Sequence, residues 1–184
     1  MSNKLLEDFM QELTTLWSFP ERGNWATHNP KYRGDFAPQI PHNIILNYSR
    51  EGDTILDPMV DSGTTLIECK LLHRNGIGID INVDAVELTL RALNFKFETS
   101  SVQEVYQGDI RALSKVKDNS IDLICTHPPY LNLVTYSNGK IEGDLSNITS
   151  PQKFCNELDL GIRYCSRRCS ILRHDCFSLV PILH

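Results

Sequence analysis

The chain has 184 residues, room for one domain, and its 41% apolar and 22% charged residues are those of an ordinary globular protein. A net charge of −5 excludes the overall basic field of a non-specific nucleic-acid binder, although a local patch can still meet phosphates. No apolar run approaches the roughly 18 residues of a membrane span. The polar, acidic opening MSNKLLEDFMQELTTLW is no signal peptide, so a cytoplasmic protein without a membrane partner is expected.

Leu5, Leu6, Phe9, Met10, Leu13, Leu16 and Trp17 recur at spacings of three and four, which predicts an amphipathic helix over 3–17 in an N-terminal unit, 1–24. Residues 18–37, rich in Pro, Gly, Asn and aromatics, read as an ordered loop. Pro38 to Arg50 can form a helix once past its prolines. A regular alternation follows. Strands are predicted at 53–56, 76–81, 102–106 and 120–125, and helices at 63–72, 83–97 and 110–116. Strand and helix in strict succession with tight turns predict an α/β fold, a parallel sheet with helices on both faces.

The first strand runs into DPMVDSGTT, a turn of small residues that opens a helix. In an open parallel sheet, ligands bind beyond the carboxyl ends of the strands. Ser62, Gly63 and Thr64 let a ligand approach the backbone, and the helix N-terminus offers amide donors. Asp57, Asp80 and Asp109 stand at three consecutive strand ends. An acidic residue about 20 positions after such a turn is where a ribose hydroxyl pair is held. Each aspartate alone is equally well a helix N-cap, but the three together form a constellation. The turn lacks both the dinucleotide fingerprint G-x-G-x-x-G and the phosphate loop G-x-x-x-x-G-K-[ST]. A ligand with ribose, adenine and cationic groups but no phosphate suits these carboxylates, and S-adenosylmethionine is such a ligand.

The fourth strand ends abruptly in THPPY, residues 126–130. Each proline fixes its own φ and gives up an amide donor, so the motif holds its carbonyls rigidly. The bland alternative is a strand closed by a Pro-Pro turn with a surface tyrosine. DPMVDSGTT resembles the cofactor turn of the S-adenosylmethionine-dependent methyltransferases that modify exocyclic amines of DNA bases. THPPY resembles their [DNS]-PP-[YFW] catalytic motif, and NPKYRGDFAPQIP is similar to their aromatic, proline-rich segment over the methionine end of the cofactor.

The resemblance covers roughly residues 25–136 and implies a Rossmann-like class I methyltransferase fold, with the catalytic unit at 25–150. It implies that Asp57, Pro58, Ser62, Gly63 and Thr64 cradle the methionine end. Asp80 would then hold the ribose, Asp109 the adenine amino group, and Phe36 and Pro38 would belong to the covering segment. The catalytic residues would be His127, Pro128, Pro129 and Tyr130: the His127 side chain and the Pro128 carbonyl accept the N–H bonds of the target amine, and Tyr130 stacks on an extruded base. The partner implied is DNA, methylated at cytosine N4 or adenine N6 in restriction-modification or as an orphan enzyme, with RNA as the alternative. A remnant without activity is the third reading. Three positions depart from the pattern. Asp61 replaces a glycine, Met59 a phenylalanine, and His127 an Asp, Asn or Ser.

After residue 150 the rhythm breaks. PQKFCNELDLGIRY reads as a helix with Phe154, Leu158 and Ile162 on one face, but CSRRCSILRHDC follows no period. In a cytoplasmic chain, clustered cysteines suggest metal or free thiols before disulfides. The spacing of Cys165, Cys169, His174 and Cys176 fits no established zinc pattern, so no metal is assigned. The expectation is an aberrant tail, 151–184, on a fold whose C-terminal strands are incomplete. The strand before THPPY would then be a bare edge, open to a second copy or a partner chain.

Overall fold

The structure, a computed structural model, describes residues 9–14, 16–19, 21–29 and 36–170 and the backbone of 177–179. Five parallel strands form one sheet: β1 (Thr54–Asp57), β2 (Asn75–Asp80), β3 (Gln103–Gln107), β4 (Leu123–Thr126) and β5 (Phe177–Leu179). Their order is β3-β2-β1-β4-β5, with Leu56 of β1 opposite both Ile77 of β2 and Ile124 of β4. Four helices are described, α1 (Gln39–Tyr48), α2 (Thr64–Leu71), α3 (Val83–Ala92) and α4 (Pro151–Ser166).

The two faces of the sheet are read directly from the period-2 alternation of the central strands. Ile55, Leu123 and Cys125 pack with Ile44 and Ile45 of α1 and Cys69 of α2. Their neighbours Leu56 and Ile124 point the other way, into a cluster with Ile79, Ile110, Leu113, Val116, Ile121, Leu145 and Cys165. Phe154 and Leu158 of α4 cover that second cluster. Every one of these strand residues is under 2% exposed, as a doubly covered parallel sheet requires. This is a Rossmann-like class I arrangement.

The local chemistry explains where elements begin and stop. Asn82 caps α3 by accepting from the Asp84 amide at 3.0 Å. That helix ends at Ala92, not at 97, because Lys70 Nζ takes the carbonyls of Leu93 and Phe95 (2.9 and 2.7 Å) that a longer helix would use internally. Ser150 and Pro151 open α4 as N-cap and first-turn proline. No helix forms over 110–116. The Ala112 amide bonds Asp109 O and the Ser114 amide bonds Ala112 O, a run of turns that still buries Ile110, Leu113 and Val116. Of the helix expected over 3–17, the described residues 9–14, 16 and 17 are irregular, and the rest lies outside the described residues.

One expectation for the tail is corrected. The helix expected after residue 150 runs through Ser166, but β5 then pairs in parallel with β4 from Ile124↔Phe177 to Thr126↔Leu179, where a bare edge was expected. β4 is therefore interior, and the ground for a partner strand there is gone. Cys169 is disulfide-bonded, whereas Cys155 and Cys165 are free thiols. His174 and Cys176 lie outside the described residues. One strand follows THPPY among the described residues.

Beneath the helices sits a buried polar knot. Glu68 of α2, 0% exposed, accepts from Trp25 Nε1 at 2.8 Å and meets His28 Nε2 at 2.5 Å and His42 Nδ1 at 2.6 Å. Burial pushes its carboxyl up, but the hydrogen bonds from His28 and His42 win and hold it below the ordinary glutamate value. The knot ties Trp25 and His28 to α1 and α2.

Candidate active site

The carboxyl ends of β1 to β4 open on one cleft. Pro58, Met59 and Asp61 line it from the first turn, and Asp80, Ile81 and Asn82 from the end of β2. Asp109 and Ile110 follow β3, and His127 and Pro129 follow β4. A loop from Tyr136 to Asn147 closes over them, with Tyr136, Gly143, Asp144 and Leu145 facing inward. This loop is held by its own bonds: Tyr136 N to Ser146 Oγ at 3.0 Å, Ser146 N to Asp144 Oδ1 at 2.8 Å and Asn147 Nδ2 to Ser137 Oγ at 2.8 Å.

Asp80 is fixed by two backbone donors, Asp61 N at 3.0 Å and Asn82 N at 2.9 Å. Burial raises its pKa, and those amides only partly oppose it. Asp61 stands where the resembling pattern has glycine, and its φ of 49° shows why a glycine suits the turn. Its carbonyl accepts from Thr89 Oγ1 at 2.8 Å, which helps hold the bend. Gly63, at φ +87°, packs so closely on α3 that a Cβ would lie 2.8 Å from Thr89 Cγ2.

Asp57 is 2% exposed and lies beneath the turn instead of in the cleft wall. Burial pushes its carboxyl up to about 6, against the Thr65 and Thr126 side chains and the Met59 amide. Ser62 and Thr64 face a second cavity, shared with Thr27, His28, Leu88 and Arg91. The expected cradle is thus split. Pro58 borders the main cleft, Ser62 and Thr64 border its neighbour, and Asp57 and Gly63 line neither.

Phe36 and His127 of THPPY meet directly. Phe36, 6% exposed, stacks on the His127 ring at 4.9 Å between centroids and 23° between planes. His127 Nε2 lies 2.7 Å from the Tyr130 hydroxyl, and the two rings stand edge to face. Pro38 is buried at the start of α1. Tyr130 is 38% exposed at the rim, and neither it nor Pro128 lines the cleft. Burial pushes the Cys125 thiol far up, so the strand before the motif offers no thiolate.

Arg111, Asp144 and the Tyr136–Asn147 loop were not anticipated. Arg111 forks Asp109, with Nε to Oδ1 at 2.9 Å and Nη2 to Oδ2 at 2.5 Å, while Nη1 reaches Glu157 Oε2 at 2.5 Å. Burial alone would raise the Asp109 pKa, but the Arg111 side chain and amide hold it below the ordinary value. An arginine two residues after a carboxylate was the available signal.

Comparison with known proteins decides the family. The family profile described as DNA methylase, of the N6 and N4 type, matches residues 2–91. Over 85 residues the chain is 38% identical to the type II methyltransferase M.HpaI of Haemophilus parainfluenzae, covering 46% of this chain and 27% of that protein. Over 110 residues it is 34% identical to "Probable tRNA (guanine(10)-N2)-dimethyltransferase" of Methanothermococcus thermolithotrophicus, covering 56% of this chain and 67% of that one. The chain belongs to the amino-methyltransferase family of that archaeal protein, and its first half also matches the DNA methylase profile. It spans about a quarter of M.HpaI.

The fold agrees. A crystal structure of a S-adenosylmethionine-dependent methyltransferase from Methanosarcina mazei superposes with a TM-score of 0.52 at 24% identity, over 69% of this chain and 52% of that one. The cofactor is S-adenosylmethionine, and the cleft lining offers groups complementary to it. Met59, Ile81, Ile110 and Pro129 offer apolar walls to a flat base, and Asp61, Asp80, Asp109 and Asp144 offer acceptors to hydroxyls, an amino group and cationic centres.

Proposed function

We propose that this methyltransferase moves the methyl group of S-adenosylmethionine to an exocyclic amine of a DNA base, cytosine N4 or adenine N6. The observation that carries the reading is that His127 and Pro129 of THPPY share one cleft with Asp80 and Asp109. The motif that would present the amine and the carboxylates that would hold the cofactor are therefore walls of the same space.

The bound cofactor supplies an electrophilic methyl on a sulfonium. The chain's own task is to turn a poor nucleophile toward it, because the lone pair of an exocyclic amine is delocalised into its ring. Acceptors that hold the N–H bonds release that lone pair. The Pro128 carbonyl is aimed by fixed proline φ, which is preorganisation. The His127 ring accepts through a neutral nitrogen, its orientation set by Phe36 and the Tyr130 hydroxyl. Tyr130, exposed at the rim, stacks on the extruded base, at roughly 1–3 kcal/mol per base.

A tRNA guanine N2 substrate is the second reading, favoured by the 34% identity over 110 residues to the archaeal protein. Calorimetry with S-adenosylmethionine and transfer of labelled methyl to DNA and tRNA in parallel separate the cases. Cofactor binding with label in DNA is expected. Label in tRNA alone supports the second reading, and binding without transfer defeats both.

A further inference from the structure

Arg111 does more than neutralise a neighbour. It makes four side-chain hydrogen bonds to three separate parts of the fold: the end of β3 through Asp109, helix α4 through Glu157, and the Tyr136–Asn147 loop through the Gly143 carbonyl, 2.7 Å from Nη2. The pair is partly withdrawn from water, with side-chain exposures of 17% for Arg111 and 28% for Asp109.

The pattern of donors on Asp109 is specific. Oδ1 accepts from both Nε at 2.9 Å and the Arg111 amide at 2.8 Å, whereas among the described residues Oδ2 accepts from Nη2 alone. A carboxylate offers about two acceptor directions per oxygen, so one direction on Oδ2 remains. A guanidinium is planar and grips both oxygens at once, so Arg111 dictates where that last lone pair points. Gly143 closes the arrangement from above. At φ +88° it passes so near that a Cβ would lie 2.7 Å from Nη2 and 3.4 Å from Asp109 Oδ2.

We propose that Arg111 is a positioning residue for cofactor recognition: it leaves one lone pair of Asp109 Oδ2 to read the adenine amino group and locks the Gly143 loop over that end of the cleft. The proposal rests on the reading that Asp109 faces the adenine amino group. Selectivity for an amino over an oxo substituent on the purine then comes from the Arg111–Asp109 unit, not from Asp109 alone. A lysine at 111 keeps the charge but not the fork.

The test is the ratio of dissociation constants for S-adenosylhomocysteine and S-inosylhomocysteine, which differ at purine C6. A ratio is insensitive to the fraction of folded protein. The wild type is expected to prefer the adenosyl ligand by about tenfold or more, the effect of one hydrogen bond to a charged acceptor. R111Q, R111K and G143A are expected to bring the ratio close to that of D109N, near one, with E157Q between. If R111Q does not fold, G143A and E157Q decide on the same ratio. Variants that weaken both ligands equally and keep the wild-type ratio overturn the proposal and leave Arg111 a structural residue. A wild type that binds both ligands equally overturns the adenine reading of Asp109 and the proposal with it, and leaves methyl transfer to be judged separately.

Discussion

Phe36 lies flat against His127, 4.9 Å away, and so joins the segment before α1 to the motif after β4 across more than 90 residues of sequence. The ring that would contact the target amine is thereby oriented by the segment expected to cover the cofactor. Phe36→Ala removes this stack, worth about 0.5–1.5 kcal/mol beyond burial. Single-turnover methyl transfer is expected to slow by up to about tenfold, with base stacking at Tyr130 and hence the apparent affinity for DNA little altered. An unchanged single-turnover rate contradicts this role of Phe36.

Glu68 predicts a large stability effect far from the cleft. Glu68→Gln replaces one acceptor oxygen by a donor facing ring N–H groups of His28 or His42. Disrupting a buried charged network of this kind costs roughly 3–5 kcal/mol. Urea unfolding reads it as a lowered midpoint with little change in slope. A loss below about 1 kcal/mol would show that the knot is plastic.

Asp57 predicts a pH dependence. Its carboxyl is raised by burial from 3.8 to about 6, so the fold favours the protonated form. That contribution is fully present below the unfolded value and is lost as pH rises through about 6. Between pH 4 and 7.5 the stability of Asp57→Asn relative to the wild type should therefore improve by about 2 kcal/mol, an order-of-magnitude figure from the shift. Paired urea titrations at the two pH values measure it. A constant gap contradicts it.

Asp61 predicts a gain. Its φ of 49° is one that glycine adopts freely, so Asp61→Gly relieves backbone strain of up to about 1 kcal/mol. Its amide bond to Asp80 and its carbonyl bond from Thr89 are main-chain contacts that survive the change. Thermal unfolding should shift up or stay level. A drop of several degrees would mean that the Asp61 carboxylate itself stabilises the turn.

The legible part of this molecule was the part governed by period. Strands β1, β2 and β4 announced themselves through apolar residues and β3 through its place in the alternation, and Asp57 and Asp80 close β1 and β2 as expected. Elements set by side-chain to backbone bonds were not legible. The turns over 110–116 carry apolar residues at a spacing of three, which imitates a helix, but Asp109 takes the Arg111 amide at 2.8 Å. Strand β5 spans three residues, too few for any alternation to show. Glu68 looked like an ordinary helix charge, because its donors come from Trp25, His28 and His42, 26 to 43 residues earlier. The split between the two cavities at Ser62 and Thr64 depends on how α3 packs, which local sequence does not state.

The most direct measurement is nucleoside analysis of DNA incubated with the wild-type chain and methyl-labelled S-adenosylmethionine, beside a His127→Ala control. Label in N4-methylcytosine or N6-methyladenine, lost in the control, is the predicted result. Label confined to a tRNA nucleoside, or absent from both nucleic acids while the cofactor binds, would contradict it.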